Sequence, residues 1–148
     1  MWFWLTIVLT VALGQAVKWW VISSGRFWVV NKGVAFSIGA EYGWLGWAAG
    51  FGLLVIGTWW LVSLKLNRPD TRNLPAQAGQ ILDTIAWGLL VGGGIGNLID
   101  RLFYGGVVDY IQIGPPAGGL PVFNLADAGI SVGISGVLFL VIYGRKRS

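Results

Sequence analysis

The chain has 148 residues, of which 55% are hydrophobic and only 11% are charged, and its formal net charge is +4. Soluble domains average about 25% charged residues, so this composition excludes an ordinary soluble domain and indicates a membrane protein. The sequence contains neither cysteine nor histidine, which excludes disulfides, thiol nucleophiles, histidine-based triads and the usual zinc sites. We expect neither a metal ion nor a cofactor.

The first predicted element is a membrane helix from Trp2 to about Ile22, interrupted only by Lys18. A membrane helix takes about 20 apolar residues. The segment lacks the basic start of a secretory signal, and no soluble domain follows it, so we predict a permanent helix. Lys18 lies one turn from its outer end, where we expect the long side chain to extend to the membrane surface.

Three further segments have the length and hydropathy of membrane spans, at residues 42–64, 81–99 and 125–143. Asp83, near the start of the third span, is interpreted as a solvated residue. Glycines recur at four-residue spacing, which predicts close packing of helices. The repeats are Gly46/Gly50, Gly88/Gly92/Gly96 and Gly129/Gly133.

The connections on one side of these spans carry strand-like patterns. Residues 26–30, 107–113 and 120–123 are rich in β-branched and aromatic side chains, and a Gly/Pro turn at 114–119 separates the last two. We therefore predict an all-α membrane fold in one domain, residues 1–148, consisting of a four-helix transmembrane bundle with a small extracytoplasmic β-cradle.

Basic residues follow two of the spans, at 65–72 and 145–147, which places both termini on the cytoplasmic side under the positive-inside rule. The net positive charge is then explained by topology and by contact with anionic membrane phospholipids, so we expect no nucleic-acid partner. Tryptophans lie near the predicted helix ends, as in an interfacial belt. They are Trp2, Trp4, Trp19, Trp20, Trp44, Trp47, Trp59 and Trp60.

Two aspartates, Asp109 and Asp127, stand in sequence that otherwise avoids charge at the outer face: residues 110–126 and 128–144 contain no Asp, Glu, Lys or Arg. An aspartate in mid-bilayer costs about 2.5–3.5 kcal/mol on translocon scales, and less near the surface. Two carboxylates about 4 Å apart repel by about 4 kcal/mol at an effective dielectric near 20, so one stays protonated toward neutral pH. Such a pair suits acid–base cleavage of a peptide bond, and the sequence leaves open which aspartate is the acid.

Polar residues accompany this pair. Asn97, Asp100 and Arg101 share roughly one face of the third span at its outer end. Asn124 precedes Asp127 by three residues and is a preferred type of helix N-cap.

Four motifs, in order along most of the chain, resemble those of the lipoprotein signal peptidases (signal peptidase II, aspartyl membrane proteases). Residues 96–101 resemble the family's GN-x-x-DR signature, 107–110 its V-V-D-F/Y block, 123–127 its F-N-x-A-D block and 31–37 its N-x-G-A-A-F-S block. The family usually carries an aspartate four residues before its first-helix lysine, where this chain has Gly14 before Lys18, and the stretch 19–30 is shorter than usual. These departures indicate a divergent member.

The resemblance implies that Asp109 and Asp127 are the catalytic pair. It also implies a set of residues that bind substrate or brace the site: Asn31, Asn97, Asp100, Arg101, Asn124 and Lys18. The implied substrate is a diacylglyceryl-modified prolipoprotein, cut just before the lipidated cysteine at the extracytoplasmic face of the bacterial inner membrane. We expect a monomer.

Two other classes of function stay open at this point. A catalytically silent homologue would bind lipid or lipoprotein without cutting it. A small transporter would use Asp109, Asp127 and Arg101 to line a polar path, although the ionisable residues cluster at one face. Whether the protein is a peptidase, a silent homologue or a transporter, Asp109 could form an ion pair with Arg101 while Asp127 caps a helix.

Overall fold

The computed structural model describes residues 1–33, 76–115 and 121–145, together with scattered helical positions between 44 and 63. It contains three long helices, α1 (Trp2–Ser23), α2 (Ala76–Tyr104) and α3 (Leu125–Arg145). Each is long and apolar enough to cross a membrane. The predicted span at 42–64 lies for most of its length outside the described residues.

Two short strands complete the described fold, β1 (Val29–Asn31) and β2 (Val107–Asp109). They pair antiparallel, with Val30 opposite Val108. A single further bridge joins Ile111 to Phe123 within the described residues. The prediction of a mostly helical membrane fold with a small sheet is confirmed, although the strands are shorter than the patterns predicted.

Glycines end both helices that lead into the sheet. Gly25 has φ +67° and follows α1, where its backbone N–H donates to the carbonyl of Ile22. Gly105 has φ +70° and follows α2, where its N–H donates to the carbonyl of Arg101 at 3.1 Å. Because this left-handed conformation suits glycine and satisfies the last helical carbonyls, each helix stops beside the strand that follows it.

The glycine-rich face of α2 lets neighbouring helices approach closely. A Cβ added at Gly88 would lie 2.7 Å from the Cβ of Thr6 on α1, and one added at Gly133 of α3 would lie 2.6 Å from the carbonyl oxygen of Ala86. Helix α2 is therefore buried along most of its length, whereas α1 and α3 expose most of theirs. The core beside these contacts consists of Phe3, Ile7, Trp87, Leu90 and Val91.

Exposed indole side chains lie near both ends of α1, where the predicted interfacial belt places them; they are Trp2, Trp4, Trp19 and Trp20. Trp44 and Trp59 are exposed as well. Trp47 and Trp60 lie outside the described residues.

The prediction that Asp83 is solvated is wrong. Helix α2 begins at Ala76, earlier than the span predicted from Ile81, so Asp83 lies inside the helix and is only 5% exposed. Its carboxylate interacts with the side chain of Trp87, one turn further along α2. Hydropathy located the span, but the solvent exposure of Asp83 depends on how α2 packs against its neighbours.

Candidate active site

Asp109 and Asp127 meet at a single asparagine. The side-chain amide of Asn124 donates to Oδ1 of Asp109 at 2.7 Å, and its backbone N–H donates to Oδ2 of Asp127 at 3.3 Å. Asp109 ends strand β2 and is 1% exposed, whereas Asp127 is half-buried in the first turn of α3. Both carboxylates therefore lie within hydrogen-bonding reach of one residue.

Asn124 holds this position because it caps α3, as predicted. Its Oδ1 accepts hydrogen bonds from the backbone N–H groups of Ala126, at 2.7 Å, and Asp127, at 3.1 Å. The carboxylate of Asp127 in turn accepts a hydrogen bond from the backbone N–H of Asn124, which completes the reciprocal pair of a capping box. Since the helix occupies the amide oxygen, the NH2 group must point away from it, toward Asp109. Capping by Asp127 thus coexists with its place in the site.

Asn31 holds the second oxygen of Asp109. Its Nδ2 donates to Oδ2 of Asp109 at 3.0 Å, and its Oδ1 accepts from the backbone N–H of Gly33 at 2.9 Å. Arg101 joins this segment to α2 by donating to the carbonyl oxygens of Gly33, at 3.1 Å, and Asn97, at 3.2 Å. Arg101 therefore braces backbone, while the carboxylate of Asp109 is held by asparagine amides.

Asn97 holds Asp127 from α2. Its Nδ2 donates to Oδ1 of Asp127 at 2.7 Å. Its Oδ1 accepts two hydrogen bonds, one from Nδ2 of Asn124 and one from Nζ of Lys18, both at 3.3 Å. All the residues that the sequence assigned to the site thus lie in one connected network at the ends of α1 and α2, the start of α3 and the small sheet.

The prediction that Lys18 extends to the membrane surface is wrong. Lys18 is 1% exposed and forms an ion pair with Asp100, whose Oδ2 lies 2.6 Å from Nζ. The same oxygen accepts the backbone N–H of Val108 at 3.0 Å. The buried acceptors on α2 draw the ammonium group inward, because a buried lysine requires a counter-charge.

Sequence reasoning missed one member of the network. Gln15 Nε2 donates to the carbonyl oxygen of Gly96 at 3.0 Å and to Oδ1 of Asp100 at 3.1 Å. The available signal was its spacing, since Gln15 and Lys18 lie three residues apart and share a face of α1.

The environment of Asp109 disfavours its ionised form. Burial raises the pKa of Asp109 from 3.8 to about 6, and the negative charge of Asp127 acts in the same direction. Hydrogen bonds from Asn124 and Asn31 and the positive charge of Lys18 oppose this rise. The arrangement can hold a proton near neutral pH. In the part of the chain that the structure describes, no cluster of three acidic, histidine or cysteine side chains could hold a metal ion.

Residues 6–143 match the family model described as Signal peptidase (SPase) II. The chain belongs to the signal peptidase II family. It is 40% identical to the lipoprotein signal peptidase of Azoarcus sp. (strain BH72) over 120 residues, which cover 80% of this chain and 62% of that protein. The lipoprotein signal peptidase of Xylella fastidiosa (strain 9a5c) is 35% identical, over 99% of this chain and 91% of its own.

A solved structure of a bacterial membrane enzyme has the same fold as this member of the signal peptidase II family. The two superpose with a TM-score of 0.64 over 99% of this chain and 92% of the other, at 22% sequence identity. This likeness confirms the class of fold, while the family model and the curated relatives confirm the family resemblance noted in the sequence.

In this chain Gly14, which is buried on α1, stands where the family usually carries its first-helix aspartate. Apart from its chain neighbours and the backbone of its own helix, no described atom lies within 4 Å of a Cβ built there. The carboxylate that pairs with Lys18 belongs to Asp100 on α2, within the GN-x-x-DR motif, and Gln15 donates to its other oxygen. The described ion pair therefore does not use position 14.

Proposed function

We propose that the protein is an aspartic endopeptidase that removes the signal peptide from diacylglyceryl-modified prolipoproteins, with Asp109 and Asp127 as its catalytic carboxylates. Membership of the signal peptidase II family makes it a peptidase of prolipoprotein signal peptides and a bacterial membrane protein. The observation that carries the aspartic mechanism is the convergence of two buried or half-buried carboxylates on Asn124.

We assign Asp109 as the acid and Asp127 as the base. Burial holds the pKa of Asp109 at about 6, which suits a group that donates a hydrogen bond to the scissile carbonyl and then protonates the leaving amine. Asp127 lies in the first turn of α3, where the helix dipole favours negative charge. Its carboxylate also accepts N–H groups from Asn97 and Asn124, and it would take a proton from the attacking water.

The site lies at the end of the bundle where α1 and α2 terminate and α3 begins. With the basic segments at 65–72 and 145–147 in the cytoplasm, this end faces outward and both termini face inward. The acyl chains of the substrate would then stay among the lipids while the peptide bond reaches the carboxylates at the membrane surface. We propose that the enzyme acts as a monomer in contact with membrane phospholipids.

The test of this function is cleavage of a purified prolipoprotein by the purified protein in detergent micelles. We expect one cut, immediately before the diacylglyceryl cysteine, located by mass spectrometry. The unlipidated precursor with the same sequence is the matched control and should be cut much more slowly. Binding of the lipidated precursor without a cut would indicate a silent homologue, and neither binding nor cutting would contradict the proposal altogether.

The assignment of Asp109 as the acid predicts the pH dependence. Only the protonated form can donate, so kcat/KM should fall as the pH rises through about 6, the pKa of Asp109 in the free enzyme. The pH profile of kcat should fall at a higher pH than that of kcat/KM, because bound substrate displaces water and further disfavours the ionised form of Asp109. Initial rates between pH 4.5 and 9 measure both. A kcat/KM that rises through this region would reverse the assignment of acid and base.

A further inference from the structure

We propose that Lys18 is a positioning residue that orients the Asn97 amide toward Asp127 and, through Asp100, holds the strand that carries Asp109. The inference rests on the proposed catalytic role of the two aspartates. In this proposal, one buried cation on α1 influences the positions of both Asp109 and Asp127.

The first connection runs through the amide of Asn97. Lys18 Nζ donates to Oδ1 of Asn97 at 3.3 Å, while Nδ2 of Asn97 donates to Oδ1 of Asp127 at 2.7 Å. An ammonium group has only donors, and an ionised carboxylate has only acceptors. If the amide turned over, its NH2 would face the ammonium and its oxygen would face the carboxylate. Lys18 therefore selects the orientation in which Asn97 supports Asp127.

The second connection runs through Asp100. Its Oδ2 accepts both Nζ of Lys18, at 2.6 Å, and the backbone N–H of Val108, at 3.0 Å. Val108 is completely buried and precedes Asp109 in β2. A carboxylate held in place by the ammonium thus fixes the backbone next to the proposed acid. Because Lys18 and Asp100 are 2% and 0% exposed at the side chain, solvent does not screen this pair.

Lys18 also acts on Asp109 through its charge. The described charged or titratable groups that interact with Asp109 are Lys18 from α1, Arg101 from α2, Tyr110 beside it and Asp127 from α3. Asp100, on α2, carries the negative charge closest to Lys18. Since the positive charge of Lys18 favours ionised Asp109, removing it should shift the pH profile, which a purely structural role would not do.

The test compares four variants of the full-length protein in the same cleavage assay. Lys18→Met removes the charge and the donor. Lys18→Met/Asp100→Asn also removes the partner's charge, so that no uncompensated ion is buried, while Asn at position 100 can still accept the Val108 N–H. Lys18→Arg keeps the charge and the donors. Lys32→Met, at an exposed lysine, is the matched control.

We expect kcat to fall about 100-fold in Lys18→Met and in the double variant, because a small misplacement of catalytic groups has an effect of this size. KM should change little. Lys18→Arg should recover part of kcat, Lys32→Met should match wild type, and the alkaline limb of kcat/KM should move to higher pH when Lys18 is lost. Circular dichroism and thermal unfolding establish which variants are folded.

A folded double variant that cleaves at the wild-type rate with an unchanged pH profile would overturn the proposal, because Lys18 would then serve only to neutralise Asp100. If the variants of Lys18 do not fold, Asn97→Leu is measured in their place. It removes the link from Lys18 through Asn97 to Asp127 and leaves the Lys18–Asp100 ion pair intact. A wild-type kcat in Asn97→Leu would also overturn it. These results differ from those expected if Asp109 and Asp127 are not the catalytic residues. In that case the wild-type protein would not cleave the precursor, or variants of Asp109 and Asp127 would remain active.

Discussion

Asp109→Asn and Asp127→Asn should each abolish cleavage of the lipidated prolipoprotein, with a loss of at least about 1,000-fold in kcat, within the range attributed to general acid–base groups. Asparagine at 109 has a single oxygen and can keep one of the two amide donors, Asn31 or Asn124, while asparagine at 127 can still accept the Asn97 amide, so part of the network remains. What each change removes is the ability to take up and release a proton at the scissile bond.

The control for these variants is Asp83→Asn. Asp83 is also a buried aspartate, at 5% exposure, and lies on α2 away from the network at the outer end. It should keep wild-type kcat. All three variants are compared by single-turnover cleavage and by binding of the uncut precursor, which should be retained. Full activity in either Asp109→Asn or Asp127→Asn would contradict the aspartic mechanism.

Asp100→Asn should destabilise the protein by about 3–5 kcal/mol, the usual consequence of leaving one member of a buried ion pair without its partner. Lys18 is 1% exposed and Asp100 is completely buried, so water cannot replace the missing charge. The double variant Lys18→Met/Asp100→Asn should recover most of this loss, because it buries no ion. Unfolding titrations with SDS in mixed micelles, followed by tryptophan fluorescence, measure the difference in free energy of unfolding.

Lys32→Met is the control for this series, since exposed substitutions usually change stability by less than about 0.5 kcal/mol. A single Asp100→Asn variant as stable as wild type would show that the ion pair makes no net contribution to folding. A double variant no more stable than the single one would show that the loss comes from the hydrogen bonds of Asp100 and not from its charge.

Local features of the site were predictable from sequence because their causes are local. Asn124 was predicted to cap α3, since an N-cap side chain reaches only the first turn of its own helix, and its Oδ1 does bind the N–H groups of Ala126 and Asp127. The placement of Asp109 in a strand and of Asp127 at a helix start followed from patterns a few residues long.

Burial and partners were less predictable. Lys18 and Asp83 were both expected to reach water, and both are buried. Each lies in an apolar helix, and hydropathy alone did not indicate that its side chain would face a neighbouring helix. Gln15 was missed as a partner of Asp100 for the same reason, since they are joined only when α1 packs on α2.

The sequence by itself determined that the chain enters a membrane, which family it belongs to, and which polar residues are candidates for its chemistry. It did so because hydropathy, capping and motif spacing are properties of short contiguous segments. Only the tertiary structure decided that Lys18 turns inward, that Asp100 joins it to β2, and that Asn124 brings Asp109 and Asp127 together. Those contacts join residues far apart in the chain, and each depends on helices packing closely enough for a buried donor to find its acceptor.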